Sequence, residues 1–278
     1  MRDVSLARLP ALALLAVGLP ALSTAAAAQS TPLAGHRAVY ELTLEDGATS
    51  KAIEAARGRI LYEFSGNACE GYTQTFAQIV ELSGGDIGRR VSATRSTSFE
   101  EGDGSILRFN IQNRSPSGET EDRDGVAEKA GPGISVTLLK PEGASFELDE
   151  AMCPGAHVKK IIAAARASET TLAATVYDGS DKENRGHDTF AVIGKPVADG
   201  AEEVEPSLRA AGWDKVARWP VSVSYFEPGA TNQTPQYIVS FELLENGVSR
   251  KLKLDYGEFA LKGEITRMEV LPTPSCDK

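Results

Sequence analysis

Cysteine, histidine, tryptophan and long apolar runs are all scarce in this chain. Its 278 residues include 3 Cys, 3 His and 2 Trp. The histidines (His36, His157, His187) and the cysteines (Cys69, Cys153, Cys276) nowhere fall at the paired spacing a zinc site needs. There is no G-x-S-x-G elbow, and no Gly-rich loop opens a helix after a strand, so a hydrolase nucleophile and a phosphate cradle both lack a motif. No cofactor is expected. Past Leu22 no stretch is apolar enough to cross a bilayer, which takes about 20 residues as a helix. Basic clusters are missing as well. With 29 Lys+Arg against 39 Asp+Glu, the formal net charge is -10. That balance is unsuited to nucleic acid, whose binding rests on cations neutralising phosphates. It also offers no polybasic patch to an anionic lipid surface. No repeat of fixed length appears.

What is present begins with a targeting signature. Arg2 and Arg8 precede an apolar run from Leu9 to Leu22, followed by Ser23-Thr-Ala-Ala-Ala-Ala28. A basic start, a short hydrophobic stretch and small residues are the anatomy of a secretory signal peptide over residues 1–28. The run is interrupted by Pro10, Gly18 and Pro20 and is short for a membrane anchor. Cleavage is expected after Ala28, in the Ala26-x-Ala28 pattern. No Cys follows it, so lipid attachment there is not expected. Removing two Arg and one Asp takes the net charge from -10 to about -11, and that charge keeps an exported protein soluble. Residues 29–278 are long enough for one large β domain with a substantial core.

The remainder alternates with period two, the mark of half-buried strands. Arg57–Phe64 and Cys69–Val80 read as a hairpin, with Ser65-Gly-Asn67 as its turn and Cys69 at the start of the second strand. His36–Leu44, Arg90–Phe99 and Ser105–Asn113 read as strands, as do Ile134–Leu139, Thr170–Tyr177, His187–Ile193, Lys215–Tyr225 and Phe259–Leu271. Gln236–Glu245 and Val248–Tyr256 flank Asn246-Gly247, the strongest hairpin signal in the chain. Ser115–Gly133 is polar and reads as an exposed loop or a weak pair of edge strands. Asp122-Arg-Asp-Gly125 fails as a calcium loop, because the position six after the Gly is Gly131. Val197–Gly212 reads as acidic and irregular. Ala156–Ala167 is the one convincing helix, with Val158, Ile161, Ile162 and Ala165 on one face. About a dozen strands, short turns and no helical crossovers predict a mainly β fold: a large antiparallel sheet curled into a barrel or sandwich, with one amphipathic helix packed on or in it.

An exported chain meets an oxidising compartment, where three cysteines allow one bridge and one free thiol. All three pairings are open from spacing alone, because connectivity needs geometry. Cys276 follows Pro272-Thr-Pro-Ser275, a tail that stays loose unless fastened, and this favours Cys69–Cys276. A bridge there would tie the last strand near the second and manage an open sheet edge.

Several stretches resemble the periplasmic cell-envelope integrity family of EipB type. They are His36-Arg-Ala-Val-Tyr40, Gly58-Arg-Ile60 with Tyr62-Glu-Phe64, Cys69-Glu-Gly-Tyr-Thr73, Tyr177-Asp-Gly-Ser180, Ala191-Val-Ile-Gly194, Glu245-Asn-Gly-Val248, Leu254-Asp-Tyr-Gly257 and Cys276. Each is unspecific alone; together they span nearly the whole chain after residue 28, in order. The resemblance implies export to the periplasm, an incompletely closed, spiral-like β-barrel, and a disulfide between Cys69 and Cys276. It implies a role in envelope integrity under stress and a periplasmic tetratricopeptide-repeat protein as partner. It implies no catalytic residues. The architecture is similar to lipoprotein-carrier barrels. Met152-Cys-Pro-Gly-Ala-His157 departs from the family's aromatic-Pro-Thr-x-His turn, keeping Pro154 and His157.

Two function classes follow. The first is a non-catalytic periplasmic protein that binds a protein partner, a lipid or a lipoprotein. The second is an envelope hydrolase using His157 or His187. Cys153, beside Pro154 at a helix start, reads as a packed thiol more readily than as a nucleophile, which would need a lowered pKa. Trp213 and Trp219 read as core or rim aromatics, and Asp178-Gly-Ser-Asp181 as a turn. A carrier would show an apolar cavity larger than ordinary packing leaves, and a solid core would favour a pure interaction role.

Overall fold

Two runs of strands, meanders except for one short parallel pair joined through a helix, meet where the first strand of the chain pairs with the last. The computed structural model describes residues 32–46, 52–198, 200–201, 203–229 and 234–276; the expected signal segment, 1–28, lies outside them. The first run is β1 (His36–Leu44), β2 (Ala55–Asn67), β3 (Gly71–Gly84), β4 (Gly88–Glu100), β5 (Ile106–Arg114), β6 (Thr120–Ala130), β7 (Gly133–Lys140) and β8 (Ser145–Leu148). The second is β9 (Ala151–Met152), β10 (Thr171–Val176), β11 (His187–Ile193), β12 (Arg218–Phe226), β13 (Tyr237–Leu244), β14 (Ser249–Asp255) and β15 (Ala260–Val270). All belong to one sheet, in the order β8-β7-β6-β5-β4-β3-β2-β1-β15-β14-β13-β12-β11-β10-β9. Neighbours are antiparallel except β9 and β10, which pair in parallel over two residues. The sheet curls into a nearly closed barrel whose single unsealed seam lies between β8 and β9.

This placement corrects the expected role of the C-terminus. β15 is an interior strand between β1 and β14, and the edges are mid-chain strands. Curling brings the edges close to each other. Ala151 of β9 shares a core cluster with Ile134, Val136 and Leu138 of β7, and beside the β7–β8 pairing a Cβ on Gly133 would lie 2.0 Å from the Leu148 carbonyl oxygen, so only glycine fits there. Bulges at Val39/Tyr40, Asp124/Gly125 and Ser240/Glu242 bend their strands and help the sheet curl.

Three local readings also change. The β2–β3 turn is Ala68-Cys-Glu70 rather than Ser65–Asn67. Asn67 pairs with Gly71, and its Oδ1 accepts the Cys69 and Glu70 amides, both at 2.8 Å, an Asx turn that places Cys69 at the tip. Thr120–Ala130 is a regular interior strand; Arg123, Gly125 and Ala127 are the residues it buries, a face too unlike a hydrophobic stripe to stand out. The acidic stretch 197–212 contains a second helix, α2 (Pro206–Ala210), which buries Leu208.

The long helix α1 (Pro154–Arg166) starts two residues earlier than expected, with Pro154 in its first turn where a missing N–H costs nothing. Ile161, Ile162, Ala164 and Ala165 share a core cluster with Ala191, Val221, Val223 and Trp219, the inner face of β11 and β12. The α2 segment fills the opposite wall, where Val204 and Leu208 cluster with Ala38, Tyr40 and Leu42 of β1. Arg250 joins that segment to the wall: its guanidinium bonds Glu205 at 2.7 Å and the Glu203 carbonyl, and also meets Glu242, which reaches Arg218 at 3.1 Å. Helical segments therefore cover two parts of the barrel interior.

Candidate functional site

Against the start of α1 the barrel keeps a cavity of about 500 Å³. Ordinary packing leaves few voids larger than a water molecule, whereas small-molecule sites run to about 300–1,000 Å³. The cavity exists because one wall is built from small or flexible side chains. β3 turns Gln74 and Gln78 inward, and β4 turns Thr94, Ser96 and Ser98 inward, where large hydrophobes would have closed the gap. Around these polar residues the lining is apolar: Ile60, Phe64, Phe76, Leu107, Phe109 and Ile111 on the same and adjoining strands, and Val239, Leu252 and Leu254 of β13 and β14.

One end is closed by the start of α1. Glu100, buried at the end of β4, accepts the Gly155 and Ala156 amides at 2.7 and 2.8 Å and so caps the helix from 55 residues away. Burial raises its pKa, and the two amides and Lys159 pull the other way. Lys159 donates to the Gly102 carbonyl at 2.7 Å and lies 4.7 Å over the Tyr72 ring. Elsewhere the lining carries a tyrosine group. Tyr225 and Tyr237, opposite each other on β12 and β13, stack at 4.4 Å, and Tyr237 lies 6.5 Å from Tyr256. Asp178, Ser180 and Asp255 line the cavity with them. Burial and then the Asp178 carboxylate push the Tyr225 hydroxyl up to about 12, so it stays neutral.

A second hollow, about 530 Å³, lies on the outer face of β2–β5. Its floor holds Leu61, Ala77, Ile79 and Ala93, with Leu61 and Ile79 half exposed. Arg59, Arg95 and Arg114 border it and no Asp or Glu lines it.

A model of the EipB-like family matches residues 27–272. The chain belongs to the EipB-like family. Among its relatives is the cell envelope integrity protein EipB of Brucella abortus (strain 2308), 30% identical over 250 residues, covering 90% of this chain and 88% of that one. A solved structure, a beta-barrel-like protein from Brucella abortus, superposes with a TM-score of 0.76 at 30% identity, covering 87% of this chain and 99% of the other.

In this EipB-like chain Cys69 and Cys276 lie at disulfide distance, with Cα atoms 5.7 Å apart. The tail reaches Cys69 along the end of the sheet: Leu271 donates to the Gly35 carbonyl at 2.9 Å and Asn67 donates to the Pro274 carbonyl at 3.2 Å. Cys153 is buried and unpaired; burial and the Glu100 carboxylate push its thiol up to about 12, opposite to what a nucleophile needs. The histidines do not converge on a nucleophile. Burial, then Lys160, lowers His157 to about 4, and its Nε2 lies 3.4 Å from Thr189 Oγ1, whose proton goes to the Ala174 carbonyl. His36 Nδ1 donates to the Ala34 carbonyl at 2.8 Å, and His187 sits edge-on to Tyr225 and Tyr237. Trp219 is core, and Trp213 packs against the cluster that holds α2. Sequence reasoning missed the cavity wall altogether. Two of its residues lie inside segments that carry the family resemblance, where Asp178 reads as part of a turn and Tyr256 as the end of a strand. The usable signal was β4, a strand with Thr94, Ser96 and Ser98 on the face that should have been apolar.

Proposed function

We propose that this chain is a non-catalytic periplasmic protein of envelope maintenance that holds an acyl-bearing envelope component inside its barrel. The single observation carrying the reading is the 500 Å³ lumen, apolar on most sides. An acyl chain gains by leaving water in proportion to the apolar area it buries, and here the protein has left short side chains on β3 and β4 beside those surfaces. The relative's name, a cell envelope integrity protein, supports the setting, and the signal-like segment 1–28 supports export. The hydrolase alternative has less support: burial makes His157 a weak base facing a threonine whose proton goes to the Ala174 carbonyl, and His187 packs edge-on against Tyr225 and Tyr237.

The lumen is tested with N-phenyl-1-naphthylamine, a neutral apolar fluorophore. Saturable fluorescence is expected with the wild type and not with Ser96→Trp, which projects an indole between Phe76 and Ile111, the strand neighbours of Ser96. No saturable signal with the wild type contradicts the reading. The same variant weighs the partner-binding reading, which the outer hollow favours: a tetratricopeptide-repeat protein docked there, away from the lumen, would leave Ser96→Trp able to support envelope integrity, whereas a lumen ligand would not.

A further inference from the structure

The lining of the lumen is of one charge sign. Among the described residues it includes Glu100, Asp178 and Asp255, and no Lys, Arg or His. Glu100 is already engaged by the α1 amides. Asp178 and Asp255 remain, each accepting one backbone amide, from Ser180 at 2.8 Å and from Gly257 at 2.9 Å, with the rest of each carboxylate's capacity open. The cations in nearby elements are directed elsewhere. Arg123 bonds the Gly179 carbonyl and the Asn184 side chain, Lys159 gives its ammonium to the Gly102 carbonyl and lies over the lining residue Tyr72 at the α1 end, and His187 sits edge-on to Tyr225 and Tyr237 with no hydrogen-bond partner on its ring.

Beside these carboxylates stand three tyrosine rings, Tyr225, Tyr237 and Tyr256. Aromatic faces attract cations through the ring quadrupole, most strongly where water is excluded, and quaternary ammonium groups are the usual guests. An anionic head would instead meet like charge in a poorly solvated pocket.

Resting on the lumen-binding reading, we propose that the ligand is an amphiphile with a cationic ammonium head, held against Tyr225, Tyr237, Tyr256 and Asp178, its chain running along the apolar walls. This names the ligand class and rules out a free fatty acid as the natural occupant.

The test compares single-chain dodecyl compounds below their micelle-forming concentrations, each displacing N-phenyl-1-naphthylamine from the full chain. The heads are trimethylammonium, primary ammonium, neutral glucoside and carboxylate. Trimethylammonium is expected to bind about tenfold tighter than carboxylate, a gap of the size cation–π contacts supply. The order of the two ammonium heads separates a quaternary lipid head from a primary amine. Asp178→Asn keeps the Oδ1 acceptor for Ser180 and is expected to shrink the cation preference to under about threefold. Equal binding of all four heads, or a preference for carboxylate, overturns the proposal while leaving lumen binding in place. An unchanged preference in Asp178→Asn overturns the role given to that residue. Failure of every compound to displace the probe overturns the lumen reading itself.

Discussion

Replacing Cys276 by Ser removes a cross-link between residues 207 apart in sequence. In the chain-entropy view the bond acts on the unfolded chain, and a loop of that length restricts it by about 5 kcal/mol at 25 °C. The folded side changes little, because β1 and β15 pair along their whole length whether or not the tail is tied. For a domain of this size 1 kcal/mol moves Tm by roughly 2–4 °C, so the loss sets a ceiling of about 10–20 °C. Calorimetry on wild type, Cys69→Ser and Cys276→Ser, each with and without reductant, measures it. The two variants are expected to melt together, at the temperature of the reduced wild type. The topology adds a spatial expectation. The barrel seam is at β8 and β9, far along the sheet from the tail, so limited proteolysis should free residues 271–276 while amide exchange at Ile134 and Val176 stays as in the wild type. A variant that keeps the wild-type Tm refutes the reasoning. So does one whose loss persists relative to fully reduced wild type, since that loss would come from the side chain and not from the bond.

Acid should weaken the fold through His157. Burial holds it at about 4 against an unfolded value of 6.5; between those values the unfolded chain binds the proton more readily, so stability falls as the pH is lowered through that window. The loss is roughly 3 kcal/mol by pH 4, and His157→Gln should flatten that part of a urea-stability profile. Glu242→Gln leaves two buried arginines, Arg218 and Arg250, short of a carboxylate and is expected to cost about 3–5 kcal/mol in urea unfolding. Glu41→Gln, which breaks an exposed pair with Arg59, should cost under about 1 kcal/mol in the same assay.

Much of the barrel is legible in the sequence because period-two alternation and turn chemistry are local. Asn246-Gly247 marks its hairpin within a residue, with Gly247 at φ +88° as the turn requires. β1 shows Ala38, Tyr40 and Leu42 on one face and buries those three. β6 was obscured because its inward residues answer to distant partners: a Cβ on Gly125 would lie 2.8 Å from the Phe109 ring, and Arg123 is satisfied by Gly179 and Asn184. The same holds for the α1 cap, since nothing near Cys153 announces that Glu100 receives the helix amides. Strand order is also non-local. Alternation identifies strands but does not say which become edges, and so the fastening of the tail was assigned to an edge that lies elsewhere. The lumen was hidden for the opposite reason: a cavity is written as missing bulk, and Ser96 in a strand resembles any exposed serine.

The most direct measurement is native mass spectrometry of the chain recovered from the envelope fraction without detergent. A bound mass of one acyl-bearing, ammonium-headed molecule is expected on the wild type and absent from Ser96→Trp. A wild type that flies at its bare polypeptide mass and takes up none of the dodecyl compounds would contradict the claim that this barrel is built around an occupant.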